Sequence, residues 1–308
     1  MKTLSNILIP HPFPYQGSKR GIAQYILLHF PSSMRCLIEP FCGSSAVSIA
    51  AAAHGLAKQF WLNDLNQPLM DLWREILERP NELAGDYEKL WNEQYPNKKE
   101  FFFQIRDNFN ATHQPHHLLY LLARIVKGSV RYSAEGKFNQ SADNRRWGMR
   151  PKTMRQQILG VSTLLAGKTT LSAVDFLVVV MKVDKDDLVY MDPPYQGISF
   201  TRDHRYYNGL SYDEFVDALQ IMNEKDISYI ISYDGQTGGK THGKPLPHRL
   251  SLEHLSIHTG RSSQATLLGY NHETVESLYL SPALVERLNG EESGLEKESQ
   301  IQLEFARV

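Results

Sequence analysis

The sequence predicts an α/β fold, an open sheet into which a helical and basic segment is inserted. Three observations carry this expectation. The apolar run Leu188-Val189-Tyr190-Met191 ends abruptly in Asp192-Pro193-Pro194-Tyr195. Between Cys36 and Asp64, a buried-strand pattern, a turn of small residues, a helix, a second strand and an acid follow one another. From Met70 to about Gly160 the pattern turns helical and then strongly basic, in a chain whose net charge is only −1. Its 308 residues allow about two domains of ~150 residues. A composition of 42% hydrophobic and 22% charged residues is that of a soluble globular protein. No apolar run reaches the roughly 20 residues of a membrane span, and Met1-Lys2-Thr3-Leu4-Ser5-Asn6 lacks the apolar stretch of a secretory signal. Cys36 and Cys42 are too few for a disulfide framework, so a reducing cytoplasm is the expected location.

In chain order, Phe13-Pro14-Tyr15-Gln16-Gly17-Ser18-Lys19-Arg20 reads as a loop entering a helix over 21–30. It places Tyr15 and Lys19 near a helix start, although a capped helix with a solvated lysine has the same pattern. A short strand before Glu39-Pro40-Phe41-Cys42-Gly43-Ser44-Ser45 and an Ala-rich helix closed by Gly55 come next. Small residues at this turn let a ligand approach the backbone, and the helix N-terminus behind it favours a carboxylate. Plain strand–helix packing selects the same residues. Ser44 and Ser45 exclude the G-x-G-x-x-G dinucleotide fingerprint. The strand over 59–62 leads into Asn63-Asp64-Leu65. Asp64 stands about 20 residues past the turn, where α/β nucleotide sites hold ribose hydroxyls. It is equally placed to cap the helix carrying Leu69, Leu72, Trp73, Ile76 and Leu77.

Helical patterns at 80–91 and 118–126 are separated by polar stretches read as loops. Residues 128–139 read as two short strands across a glycine-containing turn. Around them lie Arg124, Lys127, Arg131, Lys137, Arg145, Arg146, Arg150, Lys152 and Arg155, against Glu135 and Asp143 alone. Tyr132, Phe138, Asn139, Gln140 and Asn144 are interleaved with these charges. The mixture suits phosphate contacts combined with base-edge or wedge contacts to DNA, the plain alternative being a solvated hairpin.

After residue 164 the pattern returns to strands. Asp175 and Phe176 fall at a strand end as an acceptor and a ring, or as a cap and a core aromatic. Neither Pro193 nor Pro194 has an N–H and each fixes its φ, so the strand must stop just past Asp192. In an open α/β sheet that edge binds ligands. The Asp192 carboxylate and the Pro193 carbonyl form an acceptor pair suited to an exocyclic amine, and Tyr195 offers a stacking face. A helix over 211–224 and a strand over 227–233 follow. The stretch Asp234–Thr241 mimics a phosphate-binding loop, but Asp234 occupies its first glycine position, and Pro245 and Pro247 prevent the helix it needs. An antiparallel pair, 250–257 with 274–280, is joined by a loop whose Arg261 and Ser262 are candidate phosphate contacts. Residues beyond 290 read as a polar tail. Pro115 between His113 and His117 spoils a helical metal pair, and no metal site is expected.

In this order, Tyr15…Lys19, Glu39-Pro40-Phe41-Cys42-Gly43, Asn63-Asp64, the basic hairpin, Asp175-Phe176 and Asp192-Pro193-Pro194-Tyr195 resemble the Dam-like (alpha group) DNA adenine-N6 methyltransferases. The likeness runs from about Pro12 to Leu280. Its most specific part is the Asp192–Tyr195 tetrapeptide, and Gly136-Lys137-Phe138-Asn139 is the second. The resemblance implies a seven-stranded Rossmann-like methyltransferase sheet over 1–69 and 161–285. A helical and β-hairpin target-recognition domain would fill 70–160, with a polar tail over 286–308. It implies S-adenosylmethionine as methyl donor and S-adenosylhomocysteine as product. Tyr15, Lys19 and the turn Phe41-Cys42-Gly43-Ser44-Ser45 would surround its methionine portion and Asp64 would hold its ribose hydroxyls, with Glu39, Pro40 and Leu65 among the other cofactor-binding residues. Asp175 and Phe176 would meet its adenine, and Asp192 would border it. Asp192, Pro193, Pro194 and Tyr195 would hold a flipped target adenine. Arg124, Lys127, Arg131, Tyr132, Lys137, Phe138, Asn139, Arg145, Arg146, Arg261 and Ser262 would meet double-stranded DNA. A monomer is implied, either an orphan methylase or one serving alongside a separately acting restriction endonuclease. Ser44 and Ser45 depart from the glycine or alanine usual in the family, and Tyr15 replaces a common tryptophan. Cytosine-N4 methylation, which shares the amine chemistry, and a catalytically silent DNA-binding subunit are the alternatives.

Overall fold

The computed structural model describes residues 4–5, 7–128, 130–193, 211–237, 240–242, 245–261, 273–291 and 293. Its strands are β1 (Leu37–Glu39), β2 (Phe60–Asn63), β3 (Thr169–Ser172), β4 (Leu188–Met191), β5 (Ser228–Thr237), β6 (Lys240–His242), β7 (Glu253–Arg261) and β8 (Glu273–Leu280). They form one sheet in the order β3-β2-β1-β4-β5-β8-β7, with the short β6 paired to β5. The first five strands of that order are parallel, whereas β8 runs antiparallel to both β5 and β7. Apart from β6, this is the seven-stranded Rossmann-like methyltransferase sheet that the resemblance implies.

The helices are α1 (Ala23–Leu27), α2 (Ala46–Ala53), α3 (Gln67–Glu78), α4 (Pro80–Glu93), α5 (Lys98–Thr112), α6 (Pro115–Arg124), α7 (Pro151–Leu165), α8 (Phe176–Val180) and α9 (Tyr212–Glu224). Both faces of the central strands are covered, which is why β1 and β4 read as unbroken apolar runs apart from Glu39. Successive side chains of β4 serve opposite faces. Leu188 and Tyr190 join the cluster built by α1, α2 and α3, while Val189 and Met191 join the one built by α8 and α9. The inserted helices do not form a separate core, because Tyr87, Phe102, Phe109 and Leu122 belong to the same cluster as Leu37 and Leu188.

Several helix starts follow local chemistry. α3, α4, α6 and α7 carry proline in the first helical positions, where its missing N–H costs nothing. α9 opens with a reciprocal capping box between Ser211 and Glu214. Four expectations are corrected. The helix expected over 21–30 is a 3-10 turn at Lys19–Gly21 followed by the short α1. The stretch read as polar loop contains α5, whose buried stripe is limited to Phe102, Ile105 and Phe109 amid polar neighbours. The hairpin is reduced to single antiparallel bridges, Tyr132 with Phe138 and Ile125 with Ala142, around a turn in which Gly136 has φ +73°. The proposed tail boundary at 286 falls inside a helix over 282–291. Leu284 is buried, Arg287 donates to the Ser33 carbonyl, and Glu291 accepts from the Ser32 N–H, which fastens this helix to the loop after α1.

Candidate active site

The order of the parallel strands reverses between β1 and β4, since β2 and β3 follow on one side and β5 on the other. The crevice at the carboxyl ends of such a pair is where open α/β sheets bind ligands. On one side of it lies the turn after β1, and on the other Asp192, the residue after β4.

The turn is held from several directions. Cys42 N–H donates to the Asn63 carbonyl at 2.8 Å and Ser45 N–H to the Cys42 carbonyl at 2.6 Å. Gly43 has φ +47°, a conformation that favours glycine, and a Cβ there would stand 3.0 Å from the Tyr15 ring and press on it. Ser45 also takes the left-handed conformation, with φ 48°, directly before α2. Ser44 Oγ donates to Ser18 Oγ at 2.9 Å, and Trp73 Nε1 donates to the Gly43 carbonyl at 2.9 Å.

Asp64 ties this turn to the end of β2. Its Oδ2 accepts from Gly43 N–H at 3.1 Å and its Oδ1 from Asn66 N–H at 3.0 Å. The cap of α3 is Asn66, which accepts from Leu69 N–H, so Asp64 is not needed there. Burial pushes the Asp64 carboxyl above its ordinary range, and the two backbone hydrogen bonds oppose that. Leu65 beside it is an exposed apolar side chain.

Glu39 is buried at the end of β1, where its Oε1 accepts from Ser48 N–H in the first turn of α2 at 2.6 Å. Burial pushes its carboxyl up to about 8. An unfolded glutamate releases its proton near 4.5, so folding takes up a proton between these values, and stability falls as pH rises from about 4.5 to about 8. Glu39→Gln keeps an acceptor for Ser48 and removes the ionisation. Thermal unfolding should show the variant gaining on wild type as pH rises, by on the order of 2 kcal/mol at neutral pH, with the gain absent at pH values near 4.

Asp192 Oδ1 lies 3.0 Å from Lys19 Nζ, and the same ammonium lies 3.7 Å from Glu276 Oε2 on β8. Lys19 is 8% exposed, Asp192 22% and Glu276 23%, so the carboxylates keep an opening that the lysine lacks. Burial raises the Asp192 carboxyl, Lys19 opposes this, and Glu276 reinforces it. The loop that carries Lys19 therefore touches the crevice three times, through Tyr15 at Gly43, Ser18 at Ser44 and Lys19 at Asp192. Gln16 N–H also donates to the Gly128 carbonyl at 3.0 Å. Gly128 has φ +63°, and a Cβ there would meet the backbone of Pro14 and Tyr15 at 2.7 Å.

Asp175 is exposed, and its Oδ1 accepts from Leu177 N–H at 2.8 Å to cap α8. Phe176 is buried, stacked on Phe41 with ring centroids 5.0 Å apart and tilted against Phe215 at 5.7 Å. The half-buried Phe41 is the outer ring of this pair, which corrects the expectation that Phe176 offers a free face. Pro193 is buried beside Asp192, whereas Pro194, Tyr195 and Ser262 lie outside the described residues. Arg261 closes β7 opposite Glu273, and Lys127 lies in the 3-10 turn Val126–Gly128.

The candidate DNA contacts divide. Arg131, Lys137, Asn139, Arg145 and Arg146 are exposed, and both Arg145 and Arg146 pair with the buried Asp143. Arg124 does not belong with them. It is wholly buried, donates to Gln94 Oε1 and lies over the Tyr120 ring, and burial pulls its guanidinium below the usual range. Tyr132 and Phe138 are also buried. Phe138 packs edge-on against Phe109 and Tyr132, and its backbone is held at both N–H and carbonyl by Asn110. The Tyr132 hydroxyl hydrogen-bonds the Asn66 side chain at 3.3 Å. These three residues shape the hairpin instead of facing a duplex. Glu276, Ser18, Asn66 and Gly128 complete the site, and sequence reasoning missed them because their partners are distant in the chain.

Among the described residues no helix is long and apolar enough to cross a membrane. The chain is 24% identical over 233 residues to a type II methyltransferase of Lactococcus lactis subsp. cremoris, covering 71% of this chain and 78% of that one. It is 26% identical over 231 residues to a DNA adenine methylase of Haemophilus influenzae, covering 71% and 77% of the two chains. It is 24% identical over 264 residues to a DNA adenine methylase of Serratia marcescens, covering 84% and 82%. A family model matches residues 15–257, most of the chain and every element of the crevice except β8. By that match, over well more than half of its length, the chain belongs to the D12 class N6 adenine-specific DNA methyltransferases.

Proposed function

We propose that this DNA adenine-N6 methyltransferase binds S-adenosylmethionine along the carboxyl ends of β1, β2 and β3 and takes a target adenine, flipped from duplex DNA, onto Asp192. The residues present suit such a cofactor. The Asp64 carboxylate keeps lone pairs beyond those used by Gly43 and Asn66, which fits ribose hydroxyls. Exposed Leu65 and half-buried Phe41 offer apolar faces for an adenine, with Asp175 at the same edge. The turn of small residues at Gly43, Ser44 and Ser45, where a Cβ at Gly43 would press on the Tyr15 ring, suits the methionine portion. When bound, the cofactor supplies an electrophilic methyl group on a sulfonium.

The protein's own task is to make a poor nucleophile available. The lone pair of an exocyclic amine is delocalised into its ring. Acceptors on its two N–H groups, the Asp192 carboxylate and the Pro193 carbonyl, draw the nitrogen toward tetrahedral geometry. Holding the amine in line then contributes as positioning does in other group transfers, without a covalent enzyme intermediate. The raised Asp192 carboxyl is suited to receive the amine proton, which becomes acidic only as the new N–C bond forms. The exposed Arg131, Lys137, Arg145 and Arg146 are proposed to meet the duplex while the base is extruded.

The observation that carries the proposal is the partly open Asp192 carboxylate in the crevice, paired with an ammonium that occupies the position of an amine donor. The test is transfer of labelled methyl groups from S-adenosylmethionine to duplex DNA by the purified chain, with mass spectrometry of the digested nucleosides. N6-methyl-2′-deoxyadenosine is expected as the modified nucleoside. N4-methyl-2′-deoxycytidine, or no modified nucleoside, would refute the reading.

A further inference from the structure

We propose that Glu276 is a positioning residue for this reaction, the second seat to which the Lys19 ammonium moves when the target amine takes its place on Asp192. The inference rests on the assignment of Asp192 to the target amine. In the structure, Asp192 Oδ1 is engaged by Lys19 at 3.0 Å. An adenine amine donating to Asp192 competes with that ammonium. Lys19 is buried, and a buried charge stripped of a counter-charge is strongly unfavourable, so a second acceptor within reach eases its departure from Asp192.

Glu276 is that acceptor. Its Oε2 lies 3.7 Å from Lys19 Nζ, outside hydrogen-bond range yet within ion-pair reach. The same oxygen is buried and has no hydrogen-bond partner among the described residues, so it can take a full hydrogen bond when the ammonium shifts. An ammonium has three donors, and a short swing of a long side chain exchanges one carboxylate for the other. The backbone fits this role. Glu276 faces Gly235 of β5, and the β5–β8 register breaks between Ser232 and Gly235. Irregularities of this kind next to active sites re-aim a side chain.

The exchange has a distinct kinetic signature. A Glu276→Gln variant should leave Lys19 locked on Asp192. In single-turnover methyl transfer, its rate should fall about ten- to a hundredfold, the range of one lost hydrogen bond to a charged group. Its KM for DNA, set mainly by phosphate contacts, and its affinity for S-adenosylmethionine should stay within about twofold. If Glu276 acts through Lys19, adding Glu276→Gln to a Lys19→Gln background should cause no further loss. Glu276→Thr, a charge-free residue well suited to a strand, serves as a second variant should the glutamine form be unstable. A wild-type rate in both Glu276 variants would overturn the inference while leaving the assignment of Asp192 intact. So would equal losses on the two backgrounds, or a loss confined to cofactor affinity. A wild-type chain that transfers no methyl group to adenine would bring down both.

Discussion

Asp192→Ala is expected to abolish measurable methyl transfer while the variant still folds and still binds S-adenosylmethionine. Alanine removes the carboxylate that accepts from the target amine, and the Pro193 carbonyl alone cannot draw the nitrogen out of conjugation. Losing one electrostatic contact aimed at the reacting atom costs on the order of a thousandfold in rate. The fold should tolerate the change, because Lys19 retains Glu276 as a counter-charge. Cofactor affinity should change little, since the groups proposed to hold the ribose and the methionine portion lie across the crevice at Asp64 and the Gly43 turn. The measurement is tritium transfer to duplex DNA together with calorimetric titration of the cofactor. Near-native transfer by Asp192→Ala would remove Asp192 from the mechanism.

Arg124→Ala should unfold the protein more readily without altering which DNA it recognises. Arg124 fills a buried position where its guanidinium bonds Gln94 and covers Tyr120, while its carbonyl accepts from Asp143 N–H at 2.8 Å. Truncation opens a cavity and leaves Gln94 with one partner fewer, at a cost of about 3 kcal/mol. Arg124→Met, which restores volume without charge, should recover most of that stability. Arg145→Ala provides the contrast, because its side chain is 87% exposed. It should leave thermal unfolding nearly unchanged, weaken DNA binding, and reduce the steepness of the salt dependence. Thermal unfolding and DNA titration over a range of salt separate the two outcomes.

The parts of this molecule that were legible in the sequence are those whose meaning is local. Asp192 stands out because two prolines must end its strand, and Asp64 because a fixed run of strand, turn and helix precedes it. The central strands announce themselves as apolar runs. α5 does not, since a narrow stripe of Phe102, Ile105 and Phe109 is all that it buries. Arg124 and Arg145 look alike in a basic stretch, and only the fold reveals that one of them meets Gln94 and the other solvent. The aromatic residues of the hairpin are ambiguous in sequence for a related reason. Tyr132 and Phe138 suit a wedge into DNA, but α5 and Asn66 lie close enough to claim them. Glu276 belongs to no motif at all. It becomes part of the site only because β8 enters the sheet beside β5 in the reverse direction.

The close seating of Gly128 against Pro14 and Tyr15 has a mechanical consequence. With no gap to take up slack, a push on the inserted helices at this point passes straight into the loop that braces Gly43, Ser44 and Asp192. A single methyl group added at residue 128 would therefore push the two segments apart and carry the displacement toward Gly43, Ser44 and Asp192.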